Sequence, residues 1–281
     1  MNVDPCLAAY GILAATTAPY LLARHSAIEE TPGLGVATWL LAAGSVIVSW
    51  IAAGVSLVHH PGVVAQTVGV VVLGGLTARF GWAWIVTWRT IRSRRGRHAQ
   101  AAVLLGRRDP DLDAVVVDSP EPMVYCLPDS RGGTVVVTTG ARTALSPPEL
   151  RAVLSHERAH LEGHHHLLIG LGQIIARALP VLVLFREVGR QVPRLLEMCA
   201  DDTAARLHGR LTVAAAIATM STRATPAAGL GAGGPAATLR ALRLTTPAAK
   251  GWRDRATLAA TLFCLATGPY LASLPPCPHP W

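Results

Sequence analysis

Residues 146–160 read SPPELRAVLSHERAH, and the rest of the chain can be ordered around them. Ser146 supplies a helix N-cap, Pro147 takes the first helical position, and Glu149 stands three residues after the cap, the spacing of a capping box. Leu150, Val153, Leu154 and Leu161 recur at helical spacing, so one face of this helix is apolar and a core must lie against it. The same helix carries His156-Glu157-Arg158-Ala159-His160. Two histidines four apart share a helical face and can offer ring nitrogens to one Zn²⁺, with Glu157 beside them to take a proton from water.

A catalytic zinc needs a third protein ligand. Glu197 lies 37 residues after His160, in Glu197-Met198-Cys199-Ala200-Asp201, at the expected start of a further helix. Asp201 is one turn beyond Glu197 on the same face, which suits it to hold a ligand histidine from behind. His164, followed by His165 and His166, continues the histidine series on the ligand face, and a set built on H-x-x-x-H is the alternative. A further His, Arg or Tyr is expected to stabilise charge on the substrate carbonyl. Arg206, His208 and Tyr125 are the candidates.

Upstream of the motif helix, residues 114–117, 123–127 and 134–138 are short β-prone segments between proline and glycine turns. They predict a small antiparallel sheet, with an edge near 134–138 that pairs with an extended substrate. Further out the chain turns apolar: 51% of residues are hydrophobic and 15% charged, in long blocks that exclude an ordinary soluble domain. Residues 7–23, 36–58 and 63–88, and a last run at 256–274, are each long enough to cross a hydrocarbon core of roughly 30 Å. Asp4 before the first run and Arg24 after it mark an uncleaved anchor, not a signal peptide. Arg79 in the third run is placed toward its exit, near the interfacial aromatics Phe80, Trp82, Trp84 and Trp88.

Arg89, Arg92, Arg94, Arg95 and Arg97 follow that run and place its end in the cytoplasm, leaving both chain termini outside. Because the basic residues sit beside apolar blocks, the net charge of +8 reads as membrane topology, with the bilayer as partner and no direct contact with nucleic acid. The five cysteines lack C-x-x-C spacing and are given no catalytic role.

The expected fold is α+β: a multi-span α-helical anchor with a cytoplasmic zincin-like domain made of a small antiparallel sheet plus helices. Residues 1–98 hold three spans and a basic linker, 99–255 the metallopeptidase domain, and 256–281 a last span with a short outer tail. Residues 167–184, LLIGLGQIIARALPVLVL, cannot be one crossing, because His160 and Glu197 must meet at one metal. The 36 residues between those two are too few for two spans with a turn, so a helix packed in the domain, resting on the membrane surface, is expected. Residues 224–238 are small and glycine-rich, a connecting loop.

This order of spans, basic linker, sheet ending in Val-Val-Val-Thr-Thr-Gly, motif helix, Glu197-x-x-Ala-Asp201 and final span resembles the BlaR/MecR-type membrane metallopeptidases and their shorter actinobacterial relatives. The H-E-x-x-H and E-x-x-x-D elements are shared with the HtpX and CAAX-prenyl-protease type, and the likeness is most specific over 133–210. It implies a gluzincin with one Zn²⁺ per chain on His156, His160 and Glu197, catalysis by Glu157 and support from Asp201. It further implies cleavage of a cytoplasmic protein or peptide, by analogy a transcriptional repressor of the BlaI type. Membrane-protein quality control of the HtpX type and a catalytically silent zinc-binding receptor or scaffold are the alternatives. Few residues follow the last span, so no penicillin-binding sensor domain and no direct β-lactam sensing are expected.

Overall fold

Small side chains decide how the first helices pack. In the computed structural model, which describes residues 4–24, 27–129, 132–223, 235–246 and 252–273, α1 (Asp4–Ala23) lies against α3 (Pro32–Val58), with the short α2 (Ala27–Glu30) between them in the chain. Ala14, Ala15 and Ala18 of α1 and Ala42, Ala43 and Ala53 of α3 are buried. Gly11 leaves room for the Trp50 indole, and Gly268 of α11 (Trp252–Ser273) does the same for the Tyr10 ring. Where α4 (Val63–Leu105) crosses α3, a Cβ on Gly69 would lie 2.7 Å from the Gly54 carbonyl. Backbones that approach this closely need glycine.

Four segments are long and apolar enough to cross a membrane: Pro5–Ala23, Pro32–Val58, Val63–Ser93 and Ala256–Ser273. Their outward faces are apolar, with Val63, Val64, Val71 and Phe263 all exposed. Arg79, within the third, donates from Nε to the Ala178 carbonyl at 3.0 Å and from Nη2 to that of Arg177 at 3.2 Å. It thereby satisfies the free C-terminal carbonyls of α7 (His165–Ala178). The helix of the third run does not stop at 88 but continues through the basic stretch to Leu105, since arginine, alanine, glutamine and leucine are all good helix formers.

The sheet corrects the antiparallel expectation. Strands β1 (Gly106–Asp109), β2 (Ala114–Val117), β3 (Val124–Leu127) and β4 (Thr134–Thr138) are ordered β1-β2-β4-β3, and β2 runs parallel to β4. The cause is the 118–123 connection, which crosses the end of β4 and is pinned there. Thr138 Oγ1 accepts from the Met123 N–H at 3.0 Å and donates to the Glu121 carbonyl at 2.7 Å, while Thr139 Oγ1 accepts from the Ser119 N–H at 3.1 Å. Gly140 lets Pro120 pass directly over it. Strand β4 is therefore central, paired on both sides, and the edge next to it is β3, not residues 134–138.

After α5 (Thr139–Ala144), α6 (Pro147–Glu162) starts as its sequence dictates: Glu149 Oε2 accepts the Ser146 backbone N–H at 2.8 Å and its hydroxyl at 2.6 Å. One side of α6 packs Leu154 on Val135, Val137, Ala114 and Ala141 of the sheet layer. The other packs Ala152 with Ala204 of α8 (Val183–His208), Val213 and Ala214 of α9 (Arg210–Arg223) and Leu244 of α10 (Pro235–Thr245). Of the expected 224–238 loop, residues 224–234 lie outside the described ones and 235–238 open α10.

Residues 167–184 are not one helix either. Pro180 lies between α7 and α8, where it cannot continue the i to i−4 bonding, and Glu197 consequently sits in the interior of α8, not at a helix start. The chain forms two compact units: Met1–Trp88, Ile169–Leu195 and Lys250–Trp281 make one, Arg89–Leu168 and Leu196–Ala249 the other.

Candidate metal centre

The second unit brings the motif histidines to the glutamate from α8. On α6, the i, i+4 spacing sets His156 and His160 one above the other, with their Nε2 atoms 3.1 Å apart. Glu197 faces both: its Oε2 is 3.6 Å from His156 Nε2 and its Oε1 3.4 Å from His160 Nε2. Two nitrogens and an oxygen at tetrahedral corners, each about 2.0–2.1 Å from a zinc ion, would be about 3.3 Å apart. The three measured separations bracket that value, so the donor set fits the metal in both kind and spacing.

Partners behind these side chains hold them there. His156 Nδ1 is 3.1 Å from Oδ1 of Asp201, one turn along α8 from Glu197 and fully buried. Arg240, on α10, grips Asp201 through Nε to Oδ2 at 2.7 Å and Nη2 to Oδ1 at 2.6 Å, and reaches Glu197 Oε2 with Nη1 at 2.8 Å. Arg243 clamps the neighbouring Asp202 at 2.7–2.8 Å. His165 places its Nδ1 2.8 Å from His160 Nδ1.

This surrounding favours positive charge between the ligands. Burial works against a charged His156, yet its hydrogen bonds to Asp201 and Glu197 hold it up at about 9. Burial drives His160 down to about 4. Glu197 is held down at about 2 against the effect of burial by His156 and Arg240, and Asp201 likewise at about 2 by Arg240 and then His156. Glu157 is pushed up, mainly by burial. Its carboxyl takes a hydrogen bond from Cys126 of β3, a thiol raised to about 12 by burial and by the nearby Glu157 charge.

Residues 91–269 match peptidase family M48. The chain belongs to that family. No solved structure matches it. Membership makes the chain a metallopeptidase, and M48 peptidases are in general zinc-dependent. The three donors, their partners, Glu157 and Cys126 all fall within the matched segment.

Several expected positions turn out otherwise. The motif helix ends at Glu162, and His164 adopts φ 48° where the chain reverses, so the ligand face does not extend to it and His165, not His164, meets His160. Cys126 pairs with Val135 and faces α6, which turns Tyr125, paired with Val136, to the opposite side of the sheet. Arg206 is about 180° around α8 from Glu197, on the exposed side, where it donates to Thr203 Oγ1 at 2.8 Å. His208 is about 16 Å further along the axis than Glu197 and pairs with the Ser155 hydroxyl at 2.8 Å.

Sequence reasoning missed Arg240 altogether, and it named His165 only within the histidine series and Cys126 only among cysteines given no role. The trace of Arg240 is two arginines three apart, Arg240 and Arg243, facing the adjacent acids Asp201 and Asp202. Nothing local pairs residues so far apart.

Proposed function

We propose that the chain is a membrane-anchored zinc endopeptidase in which His156, His160 and Glu197 hold the metal and Glu157 is the general base. What carries this reading is the convergence of the three donor groups from α6 and α8 at the spacing of a zinc coordination sphere. Bound there, zinc would supply Lewis acidity, acidifying a water to a pKa of about 7 and polarising the scissile carbonyl. The carboxylate of Glu157 takes the proton of the attacking water and passes it to the departing amine. Its pKa is raised by burial, which moves it toward the working pH and suits it to both transfers. Asp201 accepts the Nδ1 proton of His156 and leaves Nε2 free for the metal, while Arg240 keeps that carboxylate charged.

The substrate lies along β3. Among the described strands β3 stands at the edge of the sheet and carries Cys126 against Glu157, so an extended peptide adding to it would pass the base in a fixed register. The apolar helices anchor the chain, with the basic residues from Arg89 onward and the site-bearing stretch 99–255 on the cytoplasmic side. A reporter enzyme active only outside the cytoplasm, fused after residue 281, is expected to be active. Main-chain pairing reads backbone more than side chains, which favours broad turnover of the HtpX type. A BlaI-type repressor as sole substrate would instead give a single narrow motif in a peptide library.

Replacing Glu157 with Gln is expected to lower peptide hydrolysis by about 10²- to 10⁴-fold with zinc content unchanged. Undiminished hydrolysis by zinc-loaded Glu157→Gln protein rejects the mechanism.

A further inference from the structure

The three groups that converge on the metal position each have a partner behind them: Asp201 for His156, Arg240 for Glu197 and, for His160, His165. The last is built by a tight reversal. Helix α6 ends at Glu162, Gly163 caps it, and the left-handed His164 returns the chain so that His165, the first residue of α7, folds back over the last turn of α6. Gly163 makes the room, since a Cβ there would lie 2.5 Å from His165 Nε2 and 2.6 Å from its Cδ2. The His165 ring is buried and stands edge-on to His160, centroids 4.8 Å apart.

Two ring nitrogens 2.8 Å apart share one hydrogen, so one donates and the other accepts. Nε2 of His160 points at Glu197 and His156, and to ligate a metal it must present a lone pair, which leaves its proton on Nδ1. His160 Nδ1–H is therefore the donor, His165 Nδ1 the acceptor, and His165 carries its own proton on Nε2. We propose that His165 is a positioning residue that fixes the tautomer and ring orientation of His160 for zinc. It does for the second histidine what Asp201 does for the first, with a neutral acceptor in place of a carboxylate.

This rests on His156, His160 and Glu197 being the zinc ligands, and the experiment separates the two claims. Zinc affinity is measured by chelator competition on the purified full chain in detergent. His165→Phe, which fills the space but accepts no hydrogen bond, should weaken zinc binding by about 10- to 100-fold. His165→Asp or Asn, whose Oδ1 falls where Nδ1 does, should restore it. Wild-type affinity in the Phe variant, or an Asp variant no better than Phe, overturns the proposal. Should the Phe variant fail to fold, Gly163→Ala displaces the ring without changing its chemistry. It should weaken zinc binding when His165 is present and add nothing to His165→Ala, and an equal effect in both backgrounds is again fatal. Unchanged zinc affinity in His156→Ala would instead remove the metal-site reading itself.

Discussion

In α1 and α3 most buried positions are alanine, glycine, serine and threonine, and their hydroxyls bond within their own helix: Thr38 to the Leu34 carbonyl at 2.8 Å, Ser49 to that of Ser45 at 2.8 Å. Around α6 alanine again fills half of the two core clusters, but valine and leucine fill the rest, and a charged aspartate is buried there, whose partner, Arg240, comes from 39 residues away. The first pattern belongs to helices that gain nothing from hiding apolar surface and associate by close approach. The second is the pattern of a unit that buries apolar side chains against one another and admits charge only in pairs. Such a contrast predicts opposite sensitivities in the two units.

Removing a charge should hurt the second unit most. Asp201→Ala strips His156 of its acceptor and leaves Arg240 with Glu197 alone, and is expected to cost about 3–5 kcal/mol in denaturant unfolding, with zinc binding weakened by about 10- to 100-fold as well. A cost below 1 kcal/mol would mean that the buried network contributes little. Adding a charge should hurt the first unit. Val71, on the outward face of α4, would cost roughly 2.5–3.5 kcal/mol as Lys if it faces lipid, against less than about 0.5 kcal/mol at an ordinary water-facing position. Membrane insertion of Val71→Lys measures which applies.

The effect that is smallest per step, about 1.4 kcal/mol for each pH unit, sharpens the electrostatic side. His156 is held up at about 9, where Asp201 and Glu197 outweigh burial, so below that pH it carries a proton that zinc must displace. Zinc affinity should fall about tenfold per pH unit below 9 and level off above it. His160, already driven down to about 4, adds no slope in this range. Chelator competition between about pH 6.5 and 9.5 reads the slope, and a flat profile would remove His156 from the ligand set.

Legibility in the sequence follows the same division. The start of α6, the pairing of His156 with His160 and the four apolar helices depend on residues within one or two turns of each other, and the spacing alone displays them. Glu197 and Asp201 were readable because a zinc site with two histidines needs a third ligand and one turn separates the pair. The parallel placement of β4 was not readable, since alternation of side chains is the same for either strand direction and the choice was made by Thr138, Thr139 and Gly140 holding a crossing loop. Nor was the break at Pro180 enough to show that residues 169–195 associate with the first unit.

By itself, then, the sequence determined the helix that carries the motif, the metal chemistry its residue types permit and the segments able to enter a membrane, because each is a matter of local period and composition. Only the tertiary structure decided that Arg240 secures Asp201 and Glu197 together, that His165 and not His164 backs His160, and that β3, among the described strands, lies at the sheet's edge beside β4. Those choices are made by contacts between elements distant in the chain, or by a single left-handed residue at a turn, and a linear pattern does not encode which distant groups share one small buried volume.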